Sequence, residues 1–236
     1  MMASEIIKEL IKYSNPEKAK LLSGFFKTGK GEYGEGDIFI GVTVPEIRKI
    51  AKKYYEISLD ELEKLISSNI HEERLCCLLI LVKKFEVGDE KTRKDIYDFY
   101  TKNAKRINNW DLVDLTAHKI VGEWLTNRDR KILYELAKSG NLWERRISII
   151  SCFAFLRKND YKDALEISKI LMADSHDLIH KAVGWVLREV GKKDLDVEEK
   201  FLKENGRYKK MPRTMLRYAI EKFDEEKRKK YLRGEI

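Results

Sequence analysis

Proline and cysteine are scarce, with three of each in 236 residues. So few prolines leave long helical patterns uninterrupted, and no Asn-Gly turn joins two alternating apolar runs, so nothing asks for a sheet. Cys76 and Cys77 are adjacent and Cys152 stands alone in an apolar run. Without a CxxC pair, neither a zinc site nor a disulfide framework is indicated, and buried thiols are expected. His176 and His180 have the i, i+4 spacing of metal ligands, yet no third ligand accompanies them, so a solvated pair is expected and no metal. GKGEYGEG, residues 29–36, has glycines but neither a GK[ST] ending nor a preceding strand, which excludes a phosphate loop. No stretch approaches the ~18 apolar residues of a membrane span. The opening MMASEIIKELIKYS mixes charges into its apolar pattern and has no signal-peptide core. An intracellular, cytoplasmic chain is therefore expected, with no membrane partner.

Charge is abundant. Charged residues make up 37% and apolar residues 43%, the balance of a helical protein with solvated faces, and the net charge is +8. An excess of lysine and arginine on a folded protein suits a polyanionic partner, nucleic acid above all.

Helix signals follow one another along the chain. Asn15-Pro16 reads as a cap followed by proline in the first helical position, and Thr43/Glu46 and Ser58/Glu61 both fit the capping box. Apolar residues fall at helical spacing in 61–67, 75–85, 112–125, 147–157 and 182–190, while 28–42 reads as a glycine-rich loop. Four segments share one design, a short polar turn running into an apolar helix. They begin at Asn69, Asn108, Asn141 and Ser175, spaced 39, 33 and 34 residues apart, with further amphipathic stretches at 89–104, 128–139 and 160–173 between them. Helix pairs at this period predict a single all-α domain over 1–236, a HEAT-like superhelix or solenoid with a concave basic groove. Aligning the four segments places Arg74, Asp114, Arg146 and Lys181 at matching positions along that groove: three cations and one acid.

The acid belongs to NNWDLVD, 108–114, where Trp110 and Asp114 are one helical turn apart and Asp111 points elsewhere. Together with GDIFIGVTVPEIRKIAK, NLWERR (141–146), HKAVGWVLREVGK (180–192) and MPRTMLRYAIEK (211–222), this stretch resembles the bacterial DNA alkylation-repair glycosylases of the AlkD type. The matching segments span most of the chain in order. The resemblance implies a HEAT-like repeat enzyme that hydrolyses the N-glycosidic bond of cationic N-alkylpurines such as 7-methylguanine and 3-methyladenine in duplex DNA. It implies water as co-substrate and no cofactor. On this resemblance Asp114 is the catalytic carboxylate, Trp110 and Trp185 flank the lesion nucleotide, and Arg146 holds DNA near the acid. Phe25 falls where the family can place a tyrosine, and Asn109 where some members carry another tryptophan. Lys181 and Arg188 join the DNA-binding set. So do Lys209, Lys210 and Arg213 of the basic stretch 206–218. Trp124 and Trp143 are expected in the core. A monomer associated with the nucleoid is expected. The alternative is a non-catalytic HEAT-like module for distorted or branched DNA, and the presence of Asp114 with Trp110 favours the enzyme.

An acid suits this chemistry. A purine alkylated at N7 or N3 is already positively charged, so its leaving needs no proton from the enzyme. What remains is to stabilise positive charge growing on the sugar and to place a water, and one ionised aspartate can do both. Indole faces add cation–π attraction of roughly 0.5–2 kcal/mol.

Overall fold

The computed structural model describes residues 2–236, and every regular element among them is helical. The expected all-α class holds; the nearest thing to a sheet is one isolated bridge between Ile38 and Ile70. The chain divides into two compact units, one running to Trp124 and the other from Leu125 to Ile236.

In the first unit the helices are α1 (Ala3–Lys12), α2 (Pro16–Phe25), α3 (Val44–Lys53), α4 (Leu59–Ile66), α5 (His71–Val87), α6 (Glu90–Lys102) and α7 (Trp110–Ala117). α5 is the core helix: it is buried all round from Leu75 to Val82 and packs against α3, α4, α6 and α7. Its near-continuous apolar run LCCLLILV explains why, since a helix with no polar face can only be stable when surrounded. Cys76 and Cys77 are part of that core, as expected of unpaired thiols, and Cys152 is likewise buried in the second unit.

The caps form largely as the residues dictate. Asn15 accepts the Lys18 N–H, and Thr43 and Glu46 complete their reciprocal box. The Ser58/Glu61 box is only half made. Ser58 caps α4, but the Glu61 carboxylate accepts the backbone N–H of Ala3 at 2.8 Å, tying α1 to α4 instead. The glycine-rich loop 28–42 is irregular, as predicted, yet its end is firmly seated. The buried Glu72 carboxylate accepts the N–H groups of Ile40, Gly41 and Val42, and the Ile38 carbonyl accepts the His71 N–H at 2.8 Å. Gly41 is required there: its φ is +81° and a Cβ would lie 2.1 Å from the Asn15 carbonyl oxygen.

The pattern over 112–125 predicts one helix, but α7 widens after Ala117 into a π turn, His118–Gly122, before α8 (Glu123–Leu125).

The second unit contains α9 (Lys131–Ala137), α10 (Leu142–Ser151), α11 (Phe153–Leu156), α12 (Lys162–Leu171), α13 (Asp177–Lys193), α14 (Leu195–Lys203), α15 (Arg207–Lys210), α16 (Arg213–Ala219) and α17 (Glu225–Arg233). The predicted run 147–157 is thus split at Cys152 into α10 and α11. α13 is the hub, packed by α10, α12, α14 and α16. His176 and His180 are not a solvated pair. The first caps α13 by accepting the Leu178 N–H, and the second lies 2.5 Å from the Asp174 carbonyl oxygen.

Candidate active site

The short turn before α7 is held by its own side chains. Asn109 occupies the cap position and its side-chain oxygen accepts the Trp110 N–H at 2.9 Å, so the helix begins at the tryptophan. From there helical geometry sorts the residues. Asp111, Leu112 and Val113 are buried, while Trp110 and Asp114, one turn apart, are half-buried on the remaining face.

The Trp110 ring stacks on Phe26, centroids 5.2 Å apart and planes 19° from parallel. Phe25 meets the same ring edge-on at 5.9 Å and is 63% exposed, leaving its own ring open to solvent. Inward, Phe26, Phe39 and the His71 imidazole form a three-ring cluster, with Phe26 5.0 Å from Phe39 and His71 4.4 Å from Phe39 and 5.2 Å from Phe26. Asp114 is close enough to the buried Tyr100 for its charge to matter there. Burial first, and the Asp114 carboxylate after it, push the phenol up, making it harder to ionise.

Asp111 belongs to a different assembly. Its Oδ2 lies 2.8 Å from His71 Nε2, and the other imidazole nitrogen lies 3.2 Å from Asp37 Oδ2. Asp37 also accepts hydrogen bonds from Arg74 at 2.6 Å, Asn108 at 3.0 Å and Asn109 at 3.3 Å. Ionised carboxylates only accept, so an imidazole facing one at each nitrogen donates from both and is the cation. Burial acts to push His71 down, but the charge and hydrogen bond of Asp111 and the bond to Asp37 outweigh it, lifting the imidazole to about 9. Burial likewise acts to raise Asp37, and the bond from His71 and the charge of Arg74 overcome it, holding the acid below its ordinary range. Two anions and two cations, all buried, thus balance.

This network corrects the place given to Arg74. A residue only 3% exposed, with one guanidinium nitrogen on Asp37 and another on the Ser68 carbonyl, does not line a groove for phosphates. A cavity of ≈ 320 Å³ opens beside the network, lined by Leu21, Leu22, Phe26, Phe39, His71 and Asp111 among others, but by neither Trp110 nor Asp114.

In the second unit Trp185 is half-buried, its ring 4.6 Å from that of Phe153, whereas Trp143 is core, as Trp124 is in the first unit. The four indoles therefore divide as expected, two accessible and two enclosed. Arg146, expected to hold DNA, is 4% exposed and donates to the Leu178 carbonyl, so like Arg74 it is enclosed and does not line a groove. Lys181 pairs with Asp177 at 2.7 Å, and Arg188 with Glu221 and Glu189. Lys209, Lys210 and Arg213 are exposed, Arg213 donating to the Leu232 carbonyl at 2.8 Å.

Compared with known families, residues 6–223 match the model described as DNA alkylation repair enzyme. The chain belongs to that family. Its role is accordingly in the repair of alkylated DNA. Comparison with the curated proteins finds no match. Among solved structures, the fold is similar to a predicted DNA alkylation repair enzyme from Enterococcus faecalis, with a TM-score of 0.68 and 17% identity over 90% of this chain and 97% of that one. It is also similar to smu.31 from Streptococcus mutans UA159, with a TM-score of 0.54 and 20% identity over 95% of this chain and all of that one. At these identities the likeness is one of fold. No helix among the described residues is long and apolar enough to cross a membrane.

Within the first unit of this repair enzyme, the structure brings together Trp110, Asp114 and Phe25 of the residues singled out by sequence, around the face of α7. It adds His71, Asp37 and Asp111, which sequence reasoning did not find. The available signal was an acid at the first turn of α7 opposite a histidine opening α5, but nothing local pairs residues 40 apart.

Proposed function

We propose that this family member is a DNA glycosylase that hydrolyses the N-glycosidic bond of cationic N-alkylpurines in duplex DNA. The observation that carries the reading is the sorting of the two acids of α7. Asp111 is held by His71 inside the protein, and Asp114 shares the half-buried face with the Trp110 ring. Asp114 is therefore the carboxylate placed to meet a substrate beside an aromatic surface.

In the proposed reaction the bond from C1′ to the purine nitrogen breaks with its electron pair passing to the base, which becomes neutral and leaves. Positive charge grows on the deoxyribose, and the Asp114 carboxylate stabilises it through space. A water held by the same carboxylate forms the new C1′–O bond, and its proton passes to the acid or to solvent. The Trp110 face attracts the cationic nucleotide. Phe25 supplies further aromatic surface beside it. In the second unit, exposed Lys209, Lys210 and Arg213 are the groups proposed to contact phosphates and half-buried Trp185 an aromatic contact. The ≈ 320 Å³ cavity is not bordered by Asp114, which supports a reaction on a base left in the stack over one on a base extruded into that cavity.

The deciding experiment is incubation of the protein with duplex DNA containing 7-methylguanine, scored for released base. Release with an abasic product is expected. Tight binding without release would instead establish a non-catalytic DNA-binding module.

A further inference from the structure

Trp110 is joined to His71 by three separate routes. Through α7, His71 Nε2 binds Asp111, the residue next to the tryptophan, at 2.8 Å. Through the loop, His71 Nδ1 faces Asp37, which holds the Asn109 amide at 3.3 Å, and Asn109 caps the Trp110 N–H at 2.9 Å. Through the rings, the His71 imidazole lies against both Phe39 at 4.4 Å and Phe26 at 5.2 Å, and Phe26 in turn stacks on Trp110 at 5.2 Å. A buried charge spent on three connections to one indole does more than fill a core. Burying an ion pair is often no more stabilising than a well-packed apolar group, whereas it fixes geometry in particular directions.

We propose that His71, clamped between Asp37 and Asp111, is the positioning residue of the reaction site, setting the Trp110 ring and the α7 face that carries Asp114. The inference rests on the glycosylase reading above and goes further by naming the group that orients its parts. His71 touches no substrate; it acts through Asp111, Asn109 and Phe26. Loss of its proton would leave Asp37 and Asp111 facing a neutral ring, with Arg74 the remaining buried cation. The other charged groups of that helix turn are Glu72, turned onto the amides of Ile40, Gly41 and Val42, and Glu73, buried and with its carboxyl pushed up chiefly by that burial; Phe26 and Phe39 bring no charge.

The test uses the full chain labelled with 5-fluorotryptophan, with the signals of the four tryptophans assigned. In the wild type, the Trp110 fluorine signal is expected to titrate with a midpoint near the His71 value of about 9, while the signals of Trp124 and Trp143 stay fixed. His71→Gln keeps one donor but no charge. It is expected to broaden the Trp110 signal, abolish the titration and slow release of 7-methylguanine on the order of tenfold to a hundredfold, with DNA affinity within about twofold. A folded His71→Gln protein with an unchanged Trp110 signal and the wild-type release rate would overturn the role. If the variant does not fold, the wild-type titration decides, and a Trp110 signal that stays fixed from pH 7 to pH 10 overturns it. A wild type that releases no base overturns the glycosylase reading, and this role falls with it. Release by the wild type with no loss in His71→Gln overturns the role alone.

Discussion

His71 Nε2 lies 2.8 Å from Oδ2 of Asp111, inside the protein and three residues before Asp114 in the chain. The two acids of one short helix are thereby given different work: one stabilises the fold, and the other is presented beside an indole.

The buried pair makes stability depend on pH. The folded value of His71, about 9, is above its ordinary 6.5, so its contribution is fully present below pH 6.5 and is lost as pH rises through 9. The shift is worth about 3 kcal/mol. Thermal unfolding of His71→Gln should show a difference from wild type that is large at pH 6 and shrinks by pH 10. A difference independent of pH would mean the imidazole is neutral in the folded protein.

Glu198 in α14 should add a second dependence. Burial first and the neighbouring Glu199 charge after it push its carboxyl up to about 9, and its Oε1 has no hydrogen-bond partner. A raised acid binds its proton in the folded state only, so between pH 4.5 and 9 each unit of rising pH costs about 1.4 kcal/mol. Glu198→Gln keeps the neutral shape. Its melting temperature relative to wild type should climb steadily from pH 5 to pH 8. A flat difference would show that Glu198 is ionised in the fold.

How far the residues themselves announce all this varies with distance along the chain. Asn15, Thr43 and Asn109 cap their helices because a side-chain oxygen needs only reach N–H groups within the next turn. The all-α class follows from apolar spacing and scarce proline for the same local reason. The Ser58/Glu61 box fails because Ala3, 58 residues before Glu61, offers that carboxylate a better donor. Counting from a helix start puts Arg74 on a groove, because such counting cannot register that Asp37 in a distant loop claims its guanidinium. The His71 network draws on the loop before α3, α5 and the start of α7, so no window of sequence contains it. The shared face of Trp110 and Asp114, by contrast, spans one helical turn and is legible in the sequence.

The indoles should separate stability from activity. Trp124 is enclosed and stacks on Tyr97 at 5.6 Å, so Trp124→Ala should cost about 3–5 kcal/mol of unfolding free energy. Trp110→Ala removes a half-buried ring and should cost less. Its release rate should fall by the worth of the lost cation–π contact, roughly 0.5–2 kcal/mol of barrier. Equal melting temperatures for the two variants would contradict this division.

DNA binding should respond to salt. Log affinity against log salt should have a slope near −0.9 per phosphate neutralised, and replacing Lys209 and Lys210 with alanine should flatten it by about one to two such units. Affinity indifferent to salt would remove these exposed lysines from the interface.

In the proposed reaction Asp114 supplies the field that drives base release, and Asp114→Asn isolates that field because shape is kept and charge removed. Single-turnover release of 7-methylguanine from duplex DNA should slow by about 10²–10³, or ~3–4 kcal/mol of barrier, while the variant remains folded and binds DNA as tightly as wild type or slightly more so. A folded, DNA-binding Asp114→Asn protein that releases the base at the wild-type rate would show that the Asp114 charge does not drive release.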